Sequence, residues 1–201
     1  MSGAGAERVA RGLRELAELA ERVAGELADE AATVAERILE TFDAGGTVLF
    51  CGNGGSAADA QHLAAEYVVR FARERRALPA LALTTDTSIL TAAGNDVGFD
   101  SVFRRQVEAL AGPGDLLVLH STSGNSANLL EAARAARERG VATVAFLARG
   151  GGRLRELVDH ALVVPTDETA RAQELHLALE HLVCDLVDEA VAGRAAREEA
   201  P

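Results

Sequence analysis

From Thr47 onward, short apolar runs alternate with longer amphipathic ones, and this alternation limits the possible folds more than any other feature of the chain. The runs Thr47–Cys51, Ala80–Leu83, Asp115–Leu119, Ala142–Leu147 and Ala161–Val164 have the length and content of buried strands. Between them, Ala57–Arg73, Asp100–Ala111, Ala127–Arg139 and Gly152–Leu157 read as helices, and a last helix runs from about Ala170 to Val191. Strands separated by helices fold as right-handed βαβ units around a mostly parallel sheet. The pattern predicts a three-layer, doubly wound α/β sandwich with five strands and helices on both faces. In such sheets a ligand lies beyond the carboxyl ends of the strands.

Ahead of this core, Ala6 to Asp43 is helical in pattern. Leu13, Leu16, Leu19, Val23, Leu27, Val34, Ile38 and Phe42 recur at three- and four-residue steps. Gly25 marks a bend or a division, and Ala44-Gly45-Gly46 marks the stop. So long a helix carries more apolar surface than one sheet face can cover, so it is expected to pack against another subunit. The polar tail from Gly193 to Pro201 reads as frayed.

Two strand-to-helix junctions carry the candidate ligand-binding residues. Ser121-Thr122-Ser123-Gly124-Asn125-Ser126 follows one strand and Gly52-Asn53-Gly54-Gly55-Ser56 follows another. The first turn of a helix has unpaired N–H groups and a partial positive charge. Small hydroxyls add donors without crowding, which suits a phosphate. An N-cap alone needs one such residue. No Gly-Lys-Ser/Thr closes the glycine loop and it is not GxGxxG, so nucleotide binding is disfavoured. The two loops together suggest one small phosphorylated ligand between them.

The 201 residues carry a formal charge of −11, which argues against a general nucleic-acid surface and leaves an anionic ligand to local dipoles and a few cations. Hydrophobic residues make up 48% but aromatics only 3%, so the core must be built from Leu, Val and Ala. No apolar run reaches the roughly 18 residues of a membrane helix, and no signal-peptide core opens the chain; a cytoplasmic protein is expected. Cys51 and Cys184 lack metal spacing and read as reduced core residues.

His62 and Glu66 stand four residues apart on one helical face, next to Leu63, Ala64, Ala65 and Val68. That pair could bind a metal or supply a base and its partner. Gln173 and His181 lie eight residues apart on the last helix, about 12 Å of rise. They can meet one small ligand only by straddling it, or by coming from different subunits. His176 points elsewhere; taken singly, these histidines read as helix-surface or interface residues.

Gly52-Asn53-Gly54-Gly55-Ser56, His62, Glu66, Gly94-Asn95-Asp96, the Ser121–Ser126 loop, and Gln173 with His181 together resemble the phosphoheptose isomerases, enzymes with a sugar-isomerase (SIS) domain. The likeness runs from the long first helix to the last. It implies a flavodoxin-like sheet and a homotetramer, with a helical oligomerisation segment over residues 1–45 and a sugar-phosphate-binding SIS domain over 46–193. It implies conversion of sedoheptulose 7-phosphate to D-glycero-D-manno-heptose 7-phosphate through an enediol, with Glu66 as base and His181 as acid. Ser121, Thr122, Ser123 and Ser126 would hold the phosphate. Asn53, Gly54, Gly55, Ser56, Asn95, Asp96, Glu66 and Gln173 would line the sugar site. His62, Glu66, Gln173 and His181 would hold one weakly bound zinc ion per subunit. Relatives often carry an acidic residue where this chain has Ala170, with Asp167 and Glu168 nearby. The family also has non-catalytic tetramers that bind a protein partner such as the replication initiator. Those need the fold but not Glu66 and His181, which favours the enzyme.

Overall fold

The central strands are apolar on both sides because both sides are covered. The computed structural model describes residues 2–198. Strands β1 (Val48–Gly52), β2 (Ala80–Ala82), β3 (Leu116–Ser121), β4 (Ala142–Leu147) and β5 (His160–Val163) form one parallel sheet. Its order is β2-β1-β3-β4-β5, the flavodoxin-like winding, with the direction of winding reversing between β1 and β3. Alternate strand residues point to opposite faces. Phe50, Val118 and Phe146 pack on one face against α1 (Ser2–Asp43), α2 (Gly55–Val68) and α6 (Thr169–Glu198). Leu49, Leu117 and Leu119 pack on the other against α4 (Val102–Leu110) and α5 (Ala127–Glu138).

The first helix is continuous through Gly25, whose Cα faces open space, so no packing forces a break there. It stops at Gly45, where φ is 78° and the Gly46 N–H turns back to the Thr41 carbonyl at 2.9 Å. Its second half enters the core through Val23, Leu27, Val34, Ile38 and Phe42, whereas Val9 and Leu13 are exposed. The last helix is longer than its apolar pattern indicated. Among the described residues, no helix is long and apolar enough to cross a membrane.

Two local differences from the sequence pattern have physical causes. The helix expected over Ala57–Arg73 ends at Val68. Arg75 draws the chain away: its guanidinium meets the carbonyls of Glu66 and Tyr67 at 2.8 and 3.0 Å and pairs with the carboxylate of Asp188, both side chains being buried. Asp188 also accepts the Ala72 and Arg73 N–H groups at 2.8 Å. Burial alone would raise the Asp188 carboxyl, but those two N–H groups and Arg75 hold it below the ordinary carboxylate range. The second difference is a helix that the pattern missed, α3 (Thr87–Asp96), capped by Asp86, whose Oδ1 accepts the Ile89 N–H at 3.0 Å.

Candidate active site

Both loops lie at the carboxyl edge of the sheet, β1 feeding one and β3 the other. A Cβ on Gly52 would stand 2.4 Å from the Ser56 carbonyl oxygen, and one on Gly124 would stand 1.9 Å from that of Gly151. Neither position can carry a side chain without moving backbone. Gly124 also has φ of 62°, where L residues are strained. The Ser121 hydroxyl accepts the Gly124 N–H at 3.0 Å and Ser123 Oγ accepts that of Asn125 at 3.2 Å. Asn125 Oδ1 in turn accepts the Arg153 N–H at 3.2 Å, so the Gly150-Gly151-Gly152 turn braces the loop from outside.

Between the loops lies a cavity of about 290 Å³. Asn53, Gly54, Gly55 and Ser56 line it from one loop, and Ser121, Thr122, Ser123 and Ser126 from the other. His120, Thr169 and Gln173 complete its wall. Ser126 occupies the N-cap of α5 but its hydroxyl makes no capping bond, and Gly54 at the N-cap of α2 has no side chain to offer. Two helix starts thus converge on one small space with first-turn N–H groups that no side chain caps. This arrangement can hold a compact anion.

Further along α2, and facing it from α6, stands a second cluster. His62 Nε2 lies 2.8 Å from His181 Nε2, and 3.4 Å from Glu66 Oε1. In the His–His contact one ring donates and the other accepts, so the two facing nitrogens share one proton. The His181 ring also leans on Phe71, centroids 5.4 Å apart. A carboxylate and an imidazole that share a neighbour can move protons to and from a substrate.

The donors named for zinc suit the ion in kind. Ligand atoms around a tetrahedral zinc stand about 3.3 Å apart for Zn–N bonds of about 2.0–2.1 Å. His62 Nε2 alone comes near that spacing, to His181 Nε2 at 2.8 Å and to Glu66 Oε1 at 3.4 Å. Gln173 does not join them: its amide packs over Gly55, where a Cβ would stand 2.5 Å from Nε2. Among the described residues, no group of three or more His, Cys, Asp or Glu side chains is placed to hold a metal ion. Asn95 and Asp96 bond to each other at 2.7 Å at the exposed end of α3 and do not line the cavity of their own chain.

Sequence reasoning missed several neighbours. Asn128 exchanges two amide bonds with Asn53, at 2.8 and 2.9 Å, and so fixes its orientation at the cavity. Thr169 receives Arg149 Nη2 at 2.8 Å, and Arg149 holds a positive φ of 50°, the one such non-glycine among the described residues. Asn128 and Thr169 could have been suspected, since each closely follows a loop or opens a helix. Nothing local pointed to the buried pair His120–Glu180, whose members are 60 residues apart. His176 is a correction to the surface reading: it is wholly buried, its Nε2–H donates to the Leu147 carbonyl at 2.9 Å, and burial lowers its pKa to about 4. Both cysteines are buried thiols, and burial raises Cys184 to about 12.

Comparison with known proteins agrees with this architecture. A family model described as SIS domain matches residues 13–148. A phosphoheptose isomerase of Roseiflexus sp. (strain RS-1) is 59% identical over 155 residues, 77% of this chain and 79% of its own. That of Geobacter sulfurreducens is 57% identical over 175 residues, 87% and 91% of the two chains. Among solved structures, the phosphoheptose isomerase GmhA of Neisseria gonorrhoeae superimposes with a TM-score of 0.86 at 46% identity, covering 91% of this chain and 98% of that one. A phosphoheptose isomerase from Francisella tularensis gives 0.89 at 34% identity, covering 92% and 98%. With the two-loop cavity on a sheet wound in this order, these relationships establish that the chain belongs to the phosphoheptose isomerases, enzymes of the SIS domain family.

Proposed function

We propose that the protein isomerises sedoheptulose 7-phosphate to D-glycero-D-manno-heptose 7-phosphate, with the phosphate in the two-loop cavity and Glu66 and His181 moving the protons. The observation that carries this reading is the convergence of two uncapped helix starts and six hydroxyl side chains, four of them from the Ser121–Ser126 loop, on one cavity of about 290 Å³. Glu66 takes the proton from C1, the electron pair forms the C1–C2 double bond, and the C2 carbonyl oxygen takes a proton from His181. The enediol then loses the O1 proton to the imidazole, the carbonyl forms at C1, and Glu66 returns its proton to C2. Each proton that leaves is matched by one that arrives, so no oxidant is consumed.

The phosphate cavity and the acid–base cluster of one chain are separate. Gln173 is on the cavity, and His181 is eight residues further along α6, about 12 Å of helix rise away. We therefore place the working site across a subunit contact, with one chain supplying the cavity and a second copy supplying His62, Glu66 and His181. An apolar groove between α1 and α6 supports that contact: Ala24, Ala28, Leu182 and Leu186 line it, and Leu182 is 63% exposed. A homotetramer is the expected assembly. His62, Glu66 and His181 would hold zinc, with Gln173 as the further donor. When bound, the ion would polarise a sugar oxygen.

The test uses purified protein and a panel of ketose phosphates, with and without added zinc, and looks for aldose product. Glu66→Gln and the double variant Ser123→Ala/Ser126→Ala are then unfolded together and reassembled. Recovery of activity in the mixture, from two poorly active parents, is the expected result of a shared site. A tetramer inert toward every ketose phosphate would overturn the enzyme assignment and favour a protein-docking role. Parents that do not complement would return the site to a single chain.

A further inference from the structure

β3 ends in a side chain that packing alone does not require. His120 is wholly buried between Phe50 and Phe146, with ring centroids 6.1 and 5.7 Å away, and it lines the cavity directly before Ser121. Its Nδ1 lies 3.3 Å from the Cys51 carbonyl oxygen and its Nε2 touches Oε1 of Glu180, which is 3% exposed. A carbonyl only accepts, so Nδ1 carries a proton; Nε2 faces a carboxylate across a shared one. The arrangement is that of an imidazolium–carboxylate pair.

Such a pair is an expensive way to fill a core. Removing each ion from water costs several kcal/mol, and apolar side chains of similar volume often serve stability as well or better. Here the flanking rings already provide an apolar slot. Glu180 Oε2 is buried with no hydrogen-bond partner among the described residues, and Asp59 Oδ2 on α2 is in the same condition. The groups that face the imidazole are therefore Asp59 from α2, Glu180 and the neutral His176 from α6, and the Cys51 carbonyl from β1. Burial works against the charged ring, but the Glu180 charge, its hydrogen bond, Asp59 and the Cys51 carbonyl together raise His120 above its ordinary value.

We propose that His120 and Glu180 form a positioning pair for anion binding, in which Glu180 fixes the imidazole beneath the Ser121–Ser126 loop as the positive end of a buried dipole. His120 does not touch the phosphate. It acts through the loop whose first residue it precedes, and through the field of a charge that is itself buried. In a chain with a formal charge of −11, such a local device offsets a field that repels the ligand. The pair also ties α6 to β3 one residue before His181. The inference rests on the proposed phosphate site.

The experiment replaces the pair with apolar residues, His120→Leu with Glu180→Leu, and measures inorganic phosphate binding by calorimetry alongside steady-state kinetics and thermal unfolding. The expected result is a folded variant, phosphate affinity weaker by about tenfold, KM for the sugar phosphate raised by a similar factor, and kcat within a few-fold of wild type. Glu180→Gln keeps the shape of the side chain and is expected to weaken phosphate affinity in the same direction by less, so the question stays open to test even if the double variant does not fold. Unchanged phosphate affinity in a folded variant would overturn the proposal and leave the pair a structural tie. Failure of the wild-type protein to bind phosphate would instead overturn the site on which it rests.

Discussion

The phosphate cavity and the His62–Glu66–His181 cluster share α2 and α6 at different points along them, and the cavity adds the start of α5. At the starts of α2 and α6 stand Gly55, Ser56, Thr169 and Gln173; roughly two to three turns on stand His62, Glu66 and His181. The first region works with backbone N–H groups and hydroxyls, because a helix start leaves its donors unpaired. In the second the backbone is already bonded to itself, and only side chains remain to do chemistry. In the proposed site the anion-binding groups thus come from one chain, whereas His62, Glu66 and His181, which move the protons, come together from a second copy.

The largest expected effect breaks the second region and spares the first. Glu66→Gln keeps the side-chain shape and removes the base, so kcat should fall by about 10²–10⁴-fold. Inorganic phosphate should bind as in wild type. Near-normal turnover of sedoheptulose 7-phosphate by this variant would end the assignment of Glu66 as base. Loss of phosphate binding along with activity would show that the two regions are not separable.

A smaller effect should come from the first region. Ser123→Ala or Ser126→Ala removes a hydroxyl next to a charged ligand, which costs on the order of 1.5–3 kcal/mol. That corresponds to about a 10- to 150-fold rise in KM, with kcat less affected. Ser126 gives the cleaner result, because its hydroxyl carries no capping bond that the substitution would also remove. A sugar phosphate seen bound away from these hydroxyls would refute the assignment directly.

The same contrast governs what the sequence could reveal. The sheet was legible because its central strands are runs such as Leu116-Leu117-Val118-Leu119, buried on both faces, and all are short apolar runs bounded by turn residues. The loops were legible because their signal is local: glycine where a Cβ would strike backbone, hydroxyls where helix-start donors are uncapped. The end of α2 was not, since it depends on Arg75 reaching Asp188, 113 residues away. Nor was His120–Glu180, a contact between a strand end and a helix middle. The short α3 offered a signal in Asp86, but Thr87 to Asp96 mixes polar and apolar residues without a clear period, and no residue of it is buried. Gly25 invited a break that the structure lacks, because a single glycine costs about 1 kcal/mol in a helix interior and a helix packed along the core over its second half absorbs that.

Gln173 is where the two regions make different claims on one side chain. The likeness to the family assigns it to the zinc set, while in one chain its amide lies over Gly55 at the cavity. Gly55→Ala separates the claims with a small perturbation. The new Cβ would stand 2.5 Å from Gln173 Nε2, the far end of a flexible side chain, so the glutamine moves aside and the backbone does not. Alanine at the first position of α2 should favour the helix by roughly 0.5–1 kcal/mol, so the protein should remain folded. If Gln173 serves the cavity, KM should rise a few-fold while zinc content after loading, read by elemental analysis, stays at the wild-type level. If Gln173 serves the ion across a subunit contact, zinc content should fall with it. His62→Ala sets the scale for that reading, since it removes the donor that approaches both Glu66 and His181 and should lose zinc outright. Equal zinc in wild type and His62→Ala would remove the metal from this site altogether, and with it the second claim on Gln173.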